Sequence, residues 1–359
     1  MSEETSEAPL PPAALRAFVA TAFARHGVPD DDATKVAALM VEADVLGHAT
    51  HGVFRLRQYL ARLRDGGCNA RPSIGVVRES AATALIDGDN GLGHLAMSAA
   101  RDLAIAKAGE AGIGWVGVRR GNHAGPLALY VRDQPERGML GMAAAVGSAN
   151  HVAPFGGTDL LLGTNPIAVS APSGGADPFV LDMASTVAAM GRIKRLAQRG
   201  EPMPEGWMVG RDGAPLTDPT RRDDGFLLPI GGAKGFGLSL AIGLMAGVLN
   251  GAAFGSDVVD FTADTASETN TGQFVMALDI AAFGEPETFA AAAARAFDEM
   301  RASEPLPDHA PVRLPGEGRA AAAARRRTAG LELGAPLRRD LEELAREHDM
   351  PPLESYAAS

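Results

Sequence analysis

Hydrophobic positions recur at helical spacing through the first part of the chain. Leu15, Phe18, Val19 and Phe23 share one face of a helix over residues 13–26. A second helix, over 30–46, opens on the acidic triplet Asp30–Asp32, the charge that a helix N-terminus favours. A third, over 52–64, carries Val53, Leu56, Tyr59, Leu60 and Leu63 at three- and four-residue steps. The turn GHATHG, residues 47–52, joins the last two. From about residue 72 strands alternate with helices. TALIDG, WVGVRR, MLGMAAAVG, NPIAVSAP, PFVLDMA and QFVMALDI read as strands. Helices are expected over 94–110, 125–137, 187–198 and in the apolar run from residue 235, and again after about residue 286.

This order places the chain in the α/β (α+β) class, a central sheet with helices at both ends. Residues 1–12, acidic and proline-rich, read as a disordered tail. An N-terminal helical part spans 13–71, a central sheet domain 72–284, and a C-terminal helical part 285–359 that completes the fold.

Composition narrows the function classes. A hydrophobic fraction of 46% and a charged fraction of 21% are ordinary for a globular protein. The net charge of −11 argues against nucleic acid as a partner, because phosphates need clustered Lys and Arg. AARRR near Arg325 and the mixed run RRDLEELARE read as solvated helix faces. Cys68 is a single cysteine that reads as inert; with no secretory segment ahead of the first helix, a reducing cytoplasm is expected. Residues 235–255 carry no charge, and Gly243, Gly247 and Gly251 have the spacing that lets helices approach in a bilayer. Ser239 and Asn250 interrupt the run, and no aromatic or basic residue flanks its far end. A buried helix of a soluble core is the better reading, and no membrane is expected.

Gly112, Gly114 and Gly117 match the spacing of a dinucleotide-binding loop. Such a loop needs strand, turn, then helix, so that helix N–H groups face the pyrophosphate. Here a helix precedes and a strand follows, so the trio reads as a helix cap running into a strand. GGAKGFG, residues 231–237, suits an anion better: four glycines surround Lys234, one of four lysines in the chain, just before an apolar helix. PGEG, residues 315–318, has the same character more weakly.

His51, Arg55 and Tyr59 follow at four-residue steps and can share a helix face. Arginine grips a carboxylate with two parallel hydrogen bonds, and histidine exchanges protons near neutrality. His123 lies in GNHAG, between a strand end and an expected helix start. Asp182 ends an apolar strand, either as a helix cap or as the partner of a histidine or a ribose. Two rival readings use the same residues. His48, His51, His123 and His151 as metal ligands would make a hydrolase, though no acidic ligand accompanies them. Lys234 as a Schiff-base lysine sits among glycines that suit phosphate better.

The stretches HATHGVFRLRQYL, GNHAGPLALY, PFGGTDLLLGTNPIAVSAP, VLDMAS, GGAKGFGLSL, NTGQFVMALDI and LPGEG occur in this order between residues 13 and 348. Together they resemble the type 2 malate/L-lactate dehydrogenase family, which also contains ureidoglycolate and sulfolactate dehydrogenases, diketogulonate reductase and piperideine-2-carboxylate reductase. The resemblance implies a non-Rossmann nucleotide-binding sheet domain flanked by a helical domain built from both chain ends. It also implies homodimers with active sites near the subunit interface. The family's Ser-His-Gly turn falls on Thr50, His51 and Gly52, its substrate arginine on Arg55, its tyrosine on Tyr59 and its Asn-His pair on Asn122 and His123. Contacts to NAD or NADP fall on Ser148, on Asp182, Met183 and Ala184, on Lys234, and on Gly316 and Glu317. Thr50 replaces the family's usual serine, and Ala124 replaces an aromatic, which would open space nearby. The implied reaction is reversible hydride transfer between NAD(P)H and a 2-oxo acid, with a cyclic imine or ureidoglycolate-type substrate as the alternative. Arg55, Tyr59, Thr50 and Asn122 would hold the carboxylate substrate. His51 or His123 would exchange the proton, with Asp182 as a third catalytic group. A cofactor-binding regulator without catalysis is the reading from another class.

Overall fold

The computed structural model describes residues 8–175 and 177–357. Residues 1–7 of the expected tail lie outside the described residues. Residues 8–12 are ordered, because Leu10 is buried and exchanges both backbone hydrogen bonds with Leu331, at 3.0 and 2.8 Å. Three helices follow: α1 (Pro12–Arg25), α2 (Asp30–Val45) and α3 (Leu56–Asp65). The apolar face read from the pattern is the buried one: Leu15, Phe18, Val19 and Phe23 of α1 pack with Met40 of α2 and Tyr59 of α3.

The central sheet has seven strands: β1 (Gly75–Glu79), β2 (Thr83–Asp87), β3 (Ile113–Gly121), β4 (Met139–Ala145), β5 (Ile167–Ala171), β6 (Phe179–Met183) and β9 (Thr271–Asp279). The order is β1-β2-β3-β9-β4-β5-β6, and only β2 and β3 run parallel. β1 escapes the sequence pattern because it is an edge strand exposed along its whole length, with no alternation to read. β7 (Met208–Gly210) and β8 (Gly225–Leu227) form a separate hairpin.

α4 (Gly93–Ala111) packs on the sheet. Gly112 caps it in the left-handed conformation (φ 80°), giving its N–H to Ala108 O at 2.8 Å. Gly114 lets strand and helix touch, since a Cβ there would lie 2.0 Å from Ala104 O. The glycine trio therefore serves a helix–strand joint. The expected helix over 125–137 is instead two 3-10 turns, at 127–130 and 135–137. Pro135 has no N–H for a continuous helix, and Leu127–Val131 are all buried, so no polar face exists.

α5 (Met190–Arg199) joins the β7–β8 hairpin in a small core around Val152, Ile193, Met208 and Leu227. α6 (Ala233–Ile242) continues as a π turn to Gly247 and a 3-10 turn to Asn250. Its glycines have two uses: a Cβ at Gly243 would strike the Phe254 ring at 2.0 Å, and Gly251 is a left-handed cap (φ 69°). Residues 233–250 are apolar and long enough to cross a membrane, with mean hydropathy 1.3, yet only 39% are buried. The expectation of a fully buried helix is thus corrected: Leu244, Val248 and Leu249 are exposed on one side. α7 (Pro286–Arg301) buries no residue and lies beside β6, with Phe297 stacked on Phe179 at 5.8 Å. α8 (Arg319–Ala329), α9 (Ala335–Glu347) and the turn at Leu353–Tyr356 return to the N-terminal helices, giving Ala323, Leu341, Leu344 and Leu353 to their core.

The joint between α4 and β3 generates a paired prediction. Gly114→Ala forces a carbonyl contact and should destabilise the fold by about 1–3 kcal/mol. Gly109→Ala, in α4 with nothing within 4 Å of its Cβ position, should stabilise it by about 0.5–1 kcal/mol. Urea unfolding measures both; equal stability of the two variants would refute the packing role.

Candidate active site

The site begins with a buried carboxylate. Asp44, near the end of α2, accepts a hydrogen bond from Val53 N–H at 2.8 Å. Gly52 is required there, because a Cβ would lie 2.2 Å from Asp44 Oδ2. Burial raises the Asp44 pKa to about 7, against the opposing pull of the Val53 amide and Arg326. His51 N–H bonds His48 O at 2.8 Å and Arg55 N–H bonds Gly52 O at 2.9 Å, so the turn is compact and its side chains are aimed.

His51 and Arg55 line a cleft of about 110 Å³ together with His123, Ser148, Lys194 and Phe261. The imidazoles of His51 and His123 stack at 5.6 Å and 19°. Phe261 also stacks on His123, at 5.0 Å and 6°, and lies 5.6 Å from the Arg55 guanidinium. Arg55 Nε donates to Thr50 O at 2.9 Å. Its two terminal nitrogens have no hydrogen-bond partner among the described residues. Thr50 Oγ1 lies 2.9 Å from His51 Nδ1.

Tyr59 does not line this cleft. Its hydroxyl meets His123 Nδ1 at 2.5 Å, and Gly125 N–H also donates to Nδ1, at 3.3 Å. Nδ1 is therefore the acceptor, which assigns the ring proton to Nε2. Burial drives the His123 pKa well down, helped by Arg55, His51 and His94. Burial, with Arg55 and His48, takes His51 to about 3. Both rings are neutral at working pH. Asn122 is not in the cleft either: its amide donates to Asn90 O, Asn90 Oδ1 and Gly91 O, and its Oδ1 accepts from Thr269. It holds the loop that carries His123.

A second cleft lies on the far side of the 48–51 turn, lined by His48, Asp182, Gly316 and Arg319 among others. Arg319 donates to His48 Nε2 at 2.8 Å. Burial raises the Asp182 pKa, against Ala128 N–H, which it accepts at 2.9 Å, and Arg319. Gly316 (φ 92°) lets its turn lie flat on β6, where a Cβ would sit 3.1 Å from Val180 N and O.

A family model described as malate/L-lactate dehydrogenase matches residues 10–342. The malate dehydrogenase of Pyrococcus horikoshii is 38% identical over 92% of this chain and 92% of its own length. The L-sulfolactate dehydrogenase of Methanocaldococcus jannaschii is 37% identical over 90% of this chain and 92% of its own. The solved sulfolactate dehydrogenase structure from that organism superposes with a TM-score of 0.89, at 35% identity, over 97% of this chain and 99% of that one. The chain belongs to the malate/L-lactate dehydrogenase family. It is an oxidoreductase of a family of nicotinamide-dependent dehydrogenases and reductases.

The residues that membership singles out are divided by the fold. His51, Arg55, His123 and Ser148 meet in the first cleft; Asp182 and Gly316 meet in the second. Asp182 touches neither His51 nor His123, so the triad of catalytic groups is not assembled around it. Glu317 lines an adjoining groove, where it accepts from Arg301 at 2.6 Å and from Leu314 N–H at 2.9 Å. Met183, Ala184 and Lys234 line none of these clefts. They lie toward one end of β6, because Ile230 N–H, at the glycine loop, bonds Ser185 O at 3.0 Å. Gly231 and Gly232 turn that loop at φ 59° and 64°, and Lys234 is exposed. Ala124 is buried and lines neither cleft, so the space it leaves is not at the site. His51, His123 and His151 of the metal reading line the first cleft but do not form a ligand set: His48 is taken by Arg319, and no cluster of three metal-ligating side chains occurs among the described residues.

Phe261, Lys194 and His94 are absent from the sequence reading. His94, at the start of α4, is fully buried edge-on to Tyr59 at 5.5 Å and 83°, and neither ring nitrogen has a hydrogen-bond partner. Burial alone lowers its pKa from 6.5 to about 3. The unfolded chain therefore binds a proton there that the folded chain refuses, so this stability is present above pH 6.5 and is lost as the pH falls toward 3. His94→Leu should flatten the acid-side slope of unfolding free energy by about 1.4 kcal/mol per pH unit. Urea unfolding between pH 6 and 4 reads the slope; an unaltered slope would show that His94 is protonated in the fold.

Proposed function

We propose that this chain carries out reversible hydride transfer between NAD(H) or NADP(H) and a 2-oxo acid/2-hydroxy acid pair. The observation that carries the reading is one cleft holding a guanidinium with two unengaged nitrogens beside an imidazole whose tautomer is set from behind. The second cleft fits a nucleotide: the Gly316 turn lies flat on β6 and Arg319 offers a cation at the start of α8. Asp182, Met183, Ala184, Gly316, Glu317 and Lys234, with Ser148 at the first cleft, would hold the cofactor along β6. When bound, the nicotinamide supplies or takes the hydride.

Arg55 grips the substrate carboxylate with its terminal nitrogens while Thr50 O holds its Nε. His123 is the proton donor in the reducing direction. Its Nε2–H bonds the carbonyl oxygen, and that proton passes to the oxygen as the C–H bond forms. As it does so, Tyr59's hydroxyl proton moves to Nδ1; once the product leaves, solvent in the cleft reprotonates Nε2 and Nδ1 returns its proton to the buried tyrosine. His51 packs against His123 and orients it. Tyr59, implied by resemblance as a substrate contact, thus acts through His123. The subunit arrangement is proposed to be a homodimer, and the compartment the cytoplasm, where the Cys68 thiol stays reduced.

Oxidation of NADH and NADPH with a panel of 2-oxo acids and cyclic imines tests the reaction; no turnover with any member would refute it. Arg55→Lys should raise KM about 10- to 100-fold, the worth of one charge-assisted hydrogen bond, with a smaller effect on kcat. Tyr59→Phe should lower kcat by about 100-fold with KM little changed. A KM effect without a kcat effect would return Tyr59 to the substrate.

A further inference from the structure

The cleft holds a second cation that the reaction described above does not use. α5 begins at the cleft: Ala189, Met190 and Gly191 line it, and Lys194, four residues after Met190, lines it from the same face. Gly191 brings this helix against the histidine turn, since a Cβ there would lie 2.9 Å from Thr50 Cγ2. His151 lines the same cleft, and burial lowers its pKa, so it is a neutral hydrogen-bonding group there. No Asp or Glu lines the cleft.

Lys194 is half-buried and forms no ion pair with a carboxylate among the described residues. The charges around it are mixed. Burial lowers its pKa, Arg55 and Arg222 push the same way, and Asp260 and Asp223 oppose them. Asp260 is held elsewhere, its Oδ1 accepting the Thr262 and Ala263 amides at 2.8 and 3.2 Å. A monoanionic substrate on Arg55 would leave the half-buried Lys194 ammonium with no anion inside the cleft, its only opposing charges being Asp260 and Asp223 outside the lining. A substrate with a second anionic end satisfies both cations.

We propose that Lys194 forms a distal anion subsite, which makes a dianionic 2-oxo acid, with a carboxylate or sulfonate at its far end, the preferred substrate class. This rests on the 2-oxo acid reading and narrows it. Lys194 touches substrate in this arrangement; Met190 and Gly191 position it.

The test compares kcat/KM for oxaloacetate, 3-sulfopyruvate, pyruvate and a cyclic imine in the wild type and in Lys194→Met and Lys194→Arg. The wild type should prefer the two dianions. Lys194→Met should lower the ratio of dianion to pyruvate kcat/KM by about 10- to 100-fold, through KM for the dianion, and Lys194→Arg should keep it. Competition in the wild type by succinate against butyrate reads the same subsite without a variant, and succinate should be the stronger inhibitor. A wild type indifferent to the distal charge, or a Lys194→Met variant whose ratio is unchanged, overturns the subsite while leaving the hydride-transfer reading intact. No turnover with any of the four compounds overturns the reading beneath it instead.

Discussion

Tyr59 and His123 are 64 residues apart and meet through a 2.5 Å hydrogen bond. Tyr59 belongs to the core of the helical body; His123 sits on the loop after β3, which the sheet carries. The bond therefore spans two separately packed cores and sets how one faces the other. Everything chemical at the site inherits that placement. His51 and Arg55 lie in the turn that leads into the helix carrying Tyr59, while Asn122 anchors the loop that carries His123. If the two cores moved apart by an ångström, the guanidinium and the imidazole would no longer address the same carboxylate and carbonyl.

The same geometry explains the electrostatics. His123 and His94 pack against Tyr59, and His51 stacks on His123; all three are buried, and desolvation lowers their pKa values. Arg55 keeps its charge and repels protons from its neighbours. A neutral ring with its proton on the cleft side is a donor without being a competing cation, and that leaves the anion sites to Arg55 and Lys194. The unpartnered nitrogens of His94 lower stability, a cost often found near functional sites.

The histidine turn also divides the surface. His48 faces one cleft and His51 the other, three residues apart in a turn that Asp44 and Gly52 lock. The cleft lined by His48 borders β6, the edge strand of the sheet, and the cleft lined by His51 lies under Phe261. Arg62 binds the loop carrying that ring through the carbonyls of Asp264 and Ser267. It comes from the same helix as Tyr59, just after Arg55, so this helix and its entry turn supply the guanidinium, the partner of His123 and the anchor of the cover.

Local pattern was enough for the elements whose burial is periodic. The faces of α1, α2 and α3, the strands β2 to β6 and β9, and the reversed order around Gly112 follow from spacing that a single helix or strand imposes on its own residues. The same logic placed His51, Arg55 and Tyr59 on one side of a turn and helix. It could not say that Tyr59 turns away from the cleft to His123, because that depends on a residue 64 positions distant. Phe261 and Lys194 left no signal for the same reason: one lies in an irregular loop and the other on a helix whose partner, Thr50, is far away in sequence. The missing helix over 125–137, the ordered Leu10 and the buried amide of Asn122 are likewise products of contacts across the chain. Sequence determined which residues could do the chemistry; packing between the two cores decided which of them share a cleft, since burial and proton placement exist only where distant segments exclude water together.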